Sequence, residues 1–481
     1  MTREHARLLD YARSLEKRYA ETLASTSWRA LEPARWLSRR IKRRNSPKVF
    51  TPRLGVATAA SPASGKADGQ EESQGGAMAL RLDDKLWGGF SAAALPELQA
   101  LASDGDRPKS QRMEAFFALA RWSHSHGDME AALAAVQSMR KVDKRKSGVM
   151  RAILLEADCL MRLGRAEEAR ALLEEAQTRR PQNGDLHLAL ANCLLGPDGV
   201  APPGADAVRL DRINRIYAGA GLAPLTLHDP ARPLGIDNLA TLPVAPETAP
   251  ETASEGDAAA LPKISVIMPV YAAAETLRFA LRGLLAQSWG NLEIVIADDF
   301  SPDDTVAVAE AIAAEDARVK VVRQTENGGS YAARNAALRV VTGDFVTTHD
   351  ADDWSHPQKL ALQARFMAEN PDVQGCFSDW VRVAPNMRAG WLFRPWGGYS
   401  SKNMSSIFLR RAAMEALGGW DPVRVGGDTD LLRRAEAIFG KEAIQRALPG
   451  TPLAFALHAE RSLTRASATH VRTMLHGVRR E

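Results

Sequence analysis

From Ile264 onward, apolar residues come in short runs that alternate with segments of helical spacing. ISVIMPV, LEIVIADD, VKVVRQ, DFVTTHD and QGCFSDWVRV read as strands. ETLRFALRGLLAQSW, DTVAVAEAIAAED, SYAARNAALRVV and PQKLALQARFMAEN, which lie between them, read as helices. Such alternation predicts a mostly parallel sheet with helices on both faces. Ligands of such sheets bind beyond the carboxyl ends of the strands. Before this region, residues 111–196 carry apolar positions spaced by three and four and predict helices throughout. They contain an internal echo. ARWSHSHGDMEAALAAV around Gly127 resembles CLMRLGRAEEARALLEEA around Gly164, and each reads as helix, Gly-polar turn, Ala-rich helix. RRPQNGDLHLALANCLLG starts a third unit, with Leu186, Leu190 and Leu194 as its stripe. Residues 206–240 are expected to cap the helical part.

The offset between Gly127 and Gly164 lies near the length of tetratricopeptide helix pairs, so a tetratricopeptide-like region is expected over 79–240. The alternative is a plain helical bundle that uses Ala for close packing. Residues 1–53 read as a charged helix that turns strongly basic. Arg35, Arg39, Arg40, Lys42, Arg43, Arg44, Lys48 and Arg53 follow Pro33, with Trp28, Leu31, Trp36, Leu37 and Ile41 interleaved. A solvated helix end and a peripheral membrane contact through residues 28–53 are both open, since Trp anchors and basic heads suit an anionic lipid surface. Residues 54–78 and 241–261 are small, polar and Pro-rich in turn, and are expected as flexible linkers. The α/β domain is expected over 262–470, with a basic tail at 471–481.

Composition narrows the class. The chain has 481 residues, 45% hydrophobic and 25% charged, as ordinary globular proteins do, and is long enough for roughly three domains. Collagen, a wholly disordered chain and a disulfide mini-protein are excluded. A net charge of only +4 argues for no nucleic-acid partner. Cys159, Cys193 and Cys376 lie far apart with no CxxC pair, which fits a reducing compartment. No apolar run approaches the roughly 18–20 residues of a membrane span, and the charged N-terminus does not read as a secretory signal. The expected location is cytoplasmic, with the inner face of the cell membrane as the site of any peripheral contact.

Acids recur at the strand ends: Asp298 and Asp299 after LEIVIA, and Asp350, Asp352 and Asp353 after DFVTTH. Parallel strands bring such residues to one edge. Grouped carboxylates raise one another's pKa unless a cation sits among them. Oxygen ligands of this kind suit Mg²⁺ or Mn²⁺, whose open positions phosphate oxygens fill. Helix capping competes as an explanation. Ser301 with Asp304 and Ser355 before Pro357 are well explained as caps, whereas Asp350, Asp352 and Asp353 together are not.

These residues carry a family resemblance. SVIMPVY, EIVIADDFSPDDT, ENGGSYAARNAAL, GDFVTTHDADDWSHPQKL, FLRRAAMEALGGWD and GGDTDLLRR, in that order, resemble the family 2 glycosyltransferases over about 262–467. The resemblance implies the GT-A fold, a Rossmann-like mixed sheet, here preceded by an all-α helical-repeat-like domain. It implies that Asp298 accepts a hydrogen bond from the nucleotide base, with Pro269 and Tyr271 packed beside it. It places Asp350 and Asp352 as the DxD pair near the ribose and a metal-bound diphosphate, with Asp353 beside them and Mn²⁺ or Mg²⁺ as the ion. Arg334 would face the nucleotide side, Asp428 would be the general base, and His458 resembles a late histidine near the metal. The Glu that usually precedes the base is Gly427 here, with Asp430 two residues beyond Asp428. From the residues alone, Asp428 also reads as a helix N-cap, and His458 as a packed or solvent histidine.

AGWLFRPWGGYSSKNMSS gathers Trp391, Phe393, Trp396 and Tyr399 near two glycines. Aromatic faces stack on sugars, so an acceptor site is one reading; core packing is the other. The expected function is a metal-dependent, inverting, non-processive transfer from a nucleotide sugar, most simply a UDP- or dTDP-sugar. The acceptor is a hydroxyl of a glycan or glycoconjugate, and bacterial surface polysaccharide the expected destination. The competing class is a degenerate transferase domain on a helical scaffold that binds protein partners. A nucleotidyltransferase would carry a Gly-rich phosphate loop early in the α/β domain, and SVIMPVYAAAE is not one.

Overall fold

The computed structural model describes residues 68–143, 148–196, 198–247, 261–390, 397–423 and 426–458. The basic segment 1–53, most of the second linker, Trp391, Phe393, Trp396 and the tail 471–481 lie outside the described residues.

Among the described residues, eight helices come first: α1 (Asp68–Trp87), α2 (Ser91–Ser103), α3 (Lys109–Ser125), α4 (Met129–Val142), α5 (Met150–Arg162), α6 (Ala166–Arg179), α7 (Gly184–Asn192) and α8 (Ala205–Gly219). The echo in the sequence is structural. Gly127 and Gly164 both take left-handed φ values, 84° and 75°, at the α3–α4 and α5–α6 turns, where a side chain would be strained. Asp128 caps α4 by accepting from Ala131 N–H at 3.0 Å, and Asn183 caps α7 through Leu186 N–H at 3.1 Å.

Two expectations need correction here. The last part of the 54–78 linker is helical, because α1 begins at Asp68. Ala79, Leu82 and Leu86 bury against α2 and α3, and this packed half propagates the helix toward its N-terminus. Residues 206–240 are not a purely helical cap. After α8, Gly221 with φ 68° turns the chain out of the helix, and an antiparallel hairpin of β1 (Leu225–Leu227) and β2 (Leu239–Thr241) follows.

The C-terminal half runs β3 (Ile264–Val270), α9 (Leu277–Leu285), β4 (Leu292–Asp298), α10 (Thr305–Glu315), β5 (Val319–Arg323), α11 (Ser330–Leu338), β6 (Phe345–Thr348), β7 (Asp353–Ser355), α12 (Lys359–Glu369), β8 (Gly375–Phe377) and β9 (Asp379–Val383). It continues with β10 (Ser400–Lys402), β11 (Phe408–Arg410), α13 (Arg411–Leu417), α14 (Gly427–Phe439), β12 (Ile444–Arg446) and β13 (Pro452–Leu457). The main sheet has the order β12-β8-β11-β6-β3-β4-β5. Its β6-β3-β4-β5 part is parallel, and β11 enters antiparallel between β6 and β8. This is the mixed GT-A sheet. A smaller sheet, β10-β9-β13-β7, lies beside it. Successive side chains of β3 take opposite faces. Val266 and Met268 pack with α9, while Ile267 joins Val295 and the apolar side of α11.

The two halves share one core. Ile213, Tyr217 and the inner faces of α3–α8 form a single buried cluster with Trp354, Val381, Val383, Tyr399, Leu453 and Phe455. Polar contacts pin the same seam. Tyr217 Oη donates to Pro452 C=O at 3.0 Å, and the Tyr217 ring stacks on His356 at 5.0 Å. Asn192 exchanges hydrogen bonds with the backbone of Ala389 at 2.8 and 3.0 Å. Arg209, fully buried, donates to Asn386 C=O at 2.7 Å. Asp185 accepts from Ser400 N–H at 2.9 Å, and burial pushes its carboxyl up to about 6.

A separately expressed C-terminal half should therefore fail to fold. Trp354, Val381, Val383, Leu453 and Phe455 would lose much of their cover. At about 2 kcal/mol for each large apolar side chain exposed, the loss rivals the whole stability of an ordinary domain. Urea denaturation followed by circular dichroism should give a cooperative transition for residues 68–458 and none for residues 261–458.

Candidate functional site

The register of the parallel strands sets the site. Val270 stands opposite Asp298, and Ile267 opposite Thr348, so the chain leaves β3, β4 and β6 at one edge. Pro269 lies in β3 beside Ala297, and Tyr271 follows the strand, about half exposed at 53%. Asp298 is buried and accepts from Ser301 N–H through both carboxylate oxygens, at 3.3 and 3.2 Å. These contacts fix the turn after β4. Phe300 in that turn has φ 63° and stands exposed near Tyr271's loop.

Asp299, expected among the strand-end acids of a shared cleft, instead organises the neighbouring loop. Its buried carboxylate accepts from Gly328 N–H and Gly329 N–H, both at 2.8 Å, and from Gln324 Nε2 at 3.0 Å. Gly329, with φ 89°, is the left-handed residue that turns this loop into α11. The start of α11, and with it Arg334, is thereby tied to the end of β4.

Arg334 is the hub of the site. It is 3% exposed and points from α11 to both acids of the edge. Nη1 donates to Asp428 Oδ1 at 2.5 Å and Nη2 to Asp350 Oδ1 at 3.0 Å. The Tyr331 and Trp420 rings lie 5.2 and 5.6 Å from the guanidinium carbon. Burial alone would lower its pKa, but Asp428 and Asp350 outweigh burial and hold it above its ordinary value.

Asp428 lies in the first turn of α14, whose N-terminus favours a negative charge. Its side chain accepts from Arg334, from Trp420 Nε1 at 3.3 Å and from Tyr331 Oη at 3.3 Å. Burial raises its pKa, and Arg334 pulls part of that rise back. Such a carboxylate is closer in basicity to a hydroxyl-activating group than a solvated one is. The helix-cap reading of Asp428 is not what this structure shows, since the N-cap position is Gly426 and Asp428 is within the helix. Asp430 faces Arg434, whose Nε donates to it at 2.7 Å, and so is spoken for structurally.

The DADD stretch continues the edge. Burial and the neighbouring Asp350 push Asp352 up to about 6. Asp353, the first residue of β7, is raised well above its ordinary value by burial, then by Asp352 and Asp350. Arg382, stacked 4.5 Å over Trp380, partly offsets these charges. His349 is buried neutral at about 4, with Nδ1 donating to Asp350 C=O at 2.8 Å and Nε2 accepting from Ser355 Oγ at 3.0 Å.

His458 follows β13, where Ala456 pairs with Asp353 and the His458 N–H donates to Val383 C=O at 2.7 Å. The register thus brings it to the same end as the acids. Among the described residues, no group of three or more His, Cys, Asp or Glu is arranged to hold an ion by itself. The chemistry nonetheless fits a hard divalent cation held partly by substrate. Asp352 and Asp353 offer oxygens; burial and then Asp350 raise the first, and burial and then Asp352 and Asp350 the second, and a cation among them relieves both causes.

One acceptor assignment is corrected. Tyr399 is 3% exposed within the core shared with the helices, so it packs rather than lining an open sugar site. The missed residues are Tyr331 and Trp420. Each sits inside a motif already singled out, but only the folded geometry shows what it touches.

Residues 265–412 match the sequence model of Glycosyl transferase family 2, and residues 123–193 that of a Tetratricopeptide repeat. Among curated proteins, the uncharacterized glycosyltransferase YibD of Escherichia coli (strain K12) is 36% identical over 119 residues, 24% of this chain and 34% of that protein. The putative glycosyltransferase EpsE of Bacillus subtilis (strain 168) is 35% identical over 114 residues, 24% of this chain and 41% of that protein. The chain thus spans less than half the length of these relatives. Among solved structures, S. aureus TarS 1–349 in complex with UDP-GlcNAc overlaps 42% of this chain and 60% of its own, at 21% identity and a TM-score of 0.32. That overlap is too partial to bear on chemistry. The matched motifs and the mixed sheet that carries them agree: residues 265–412 are a family 2 glycosyltransferase domain by sequence model, and residues 123–193 a tetratricopeptide repeat region.

Proposed function

We propose that the protein is an inverting glycosyltransferase that moves a sugar from a nucleotide-sugar donor to a hydroxyl of a glycan or glycoconjugate. The observation that carries this reading is the single guanidinium of Arg334 held between Asp350 and Asp428. In this reading Arg334 holds the base, Asp428, one side chain away from the ribose-side acid, Asp350.

In this reading Asp298 takes a hydrogen bond from the nucleotide base, with Pro269 and Tyr271 beside the base. Asp350 lies near the ribose. Asp352 and Asp353, with His458 at the same end, would hold Mn²⁺ or Mg²⁺. The ion, when bound, acts as a Lewis acid on the leaving diphosphate. Asp428 accepts the proton of the acceptor hydroxyl as its oxygen attacks the anomeric carbon. The bond from that carbon to the diphosphate oxygen breaks on the opposite side, so the configuration inverts. Arg334 and Trp420 hold Oδ1 of Asp428 as this happens. No helix among the described residues is long and apolar enough to cross a membrane. The reading is of transfer of one or a few sugars rather than processive synthesis. Surface polysaccharide is the destination we favour.

The test is a donor screen on the full chain. UDP-, dTDP- and GDP-sugars are incubated with lipid-extracted and soluble glycans, with Mn²⁺ or with EDTA, and release of nucleoside diphosphate is measured. Metal-dependent release with at least one donor, and a product anomer opposite to the donor's by NMR, is expected. Retained configuration would contradict Asp428 as a single base.

A further inference from the structure

Gly427 departs from the sequence pattern just before the proposed base, and the structure gives a steric reason. A Cβ built on Gly427 would stand 2.9 Å from three carbons of the Tyr331 ring. Real Cβ atoms do not approach aromatic carbons that closely, and the ring, 8% exposed, has nowhere open to go. Gly427 has no left-handed φ, so its conformation does not require glycine. Only the ring does.

The hydroxyl of the same ring engages Asp428 twice. It donates to Oδ2 at 3.3 Å and accepts from the Asp428 backbone N–H at 3.4 Å. With Arg334 and Trp420 on Oδ1, the phenol is the only described partner of Oδ2. We propose that Tyr331 is a positioning residue for the Asp428 carboxylate, and that Gly427 is glycine so that the Tyr331 ring can take the space beside it. This rests on the reading of Asp428 as the base. The charged and titratable groups facing Asp428 are Arg334 and Tyr331 from α11 and Asp350 after β6; on its own helix, Asp430 turns to Arg434.

A hydroxyl that donates to the ionised carboxylate favours the charged form, so removing it lets the pKa rise. The test uses full-length protein labelled with ¹³C at Asp carboxyls, with the Asp428 signal assigned by its loss in Asp428→Asn. Tyr331→Phe should raise the Asp428 pKa by about one unit, the worth of one hydrogen bond to a charged group. Gly427→Ala, which displaces the ring, should raise it in the same direction. Adding Gly427→Ala to Tyr331→Phe should then add little. Calorimetric binding of UDP with Mn²⁺ should stay within about twofold of wild type in both single variants, because neither residue is assigned to the nucleotide.

An unchanged Asp428 pKa in folded Tyr331→Phe, with UDP binding intact, would overturn the proposal. So would a shift in Tyr331→Phe with none in Gly427→Ala, as regards the glycine. If Tyr331→Phe fails to fold, Gly427→Ala alone decides. Wild type that binds no nucleotide would instead defeat the enzymatic reading and leave the pKa comparison readable by itself.

Discussion

Asp428→Asn should lower sugar transfer by roughly a thousand-fold, the scale of a lost general base, while UDP binding changes little. Asparagine keeps the size and can still accept from Arg334 and Trp420 through its carbonyl, but it cannot take a proton from an acceptor hydroxyl. The buried setting that raises the Asp428 pKa is what makes the loss large, because a solvated aspartate would be a poorer base to begin with. The check is steady-state release of nucleoside diphosphate, with donor KM and kcat separated. A fall in kcat at unchanged donor KM supports the assignment. Loss of donor binding alone would move Asp428 to the nucleotide side. Transfer within tenfold of wild type would remove Asp428 from the chemistry.

The second large effect is on stability. Arg334→Met should destabilise the protein by about 3–5 kcal/mol, because it leaves two half-buried carboxylates facing each other without their cation. Methionine fills much the same volume between Tyr331 and Trp420, so packing is a minor term. Adding Asp350→Asn and Asp428→Asn to Arg334→Met should restore much of the loss, since no uncompensated charge is then left. Urea midpoints at neutral pH would measure both. A single-variant loss below about 1 kcal/mol would mean that the hub is solvated and that its geometry does not hold the base in place.

The sequence made the strand-end acids legible for a local reason. Asp298, Asp350, Asp352 and Asp353 follow strands whose apolar runs are plain, and parallel register then forces them to one edge. The repeat was legible too, because Gly127 and Gly164 mark turns that need a left-handed residue. What stayed hidden was long-range. Arg334 and Asp428 are far apart in the chain, and nothing local to either says that they pair. Nothing local explains Gly427 either, because the Tyr331 ring that occupies the space beside it comes from α11. Tyr399 sat in an aromatic cluster that suits sugar stacking equally well. Its burial depends on helices more than two hundred residues upstream, such as α7, whose Asp185 holds the adjoining backbone. The fusion of the two halves was likewise unreadable, since Tyr217 and Trp354 are ordinary apolar residues until they meet.

The central claim is that the strand-end edge binds a nucleoside diphosphate through a divalent ion. Calorimetric titration of UDP into the full-length protein, with Mn²⁺ and with EDTA, in wild type and in Asp352→Ala, tests it most directly. Saturable binding with Mn²⁺ is expected, weakening at least tenfold, about 1.4 kcal/mol, on chelation or in the variant. Equal binding with and without metal, or no binding of UDP, dTDP or GDP by the folded protein, would contradict it.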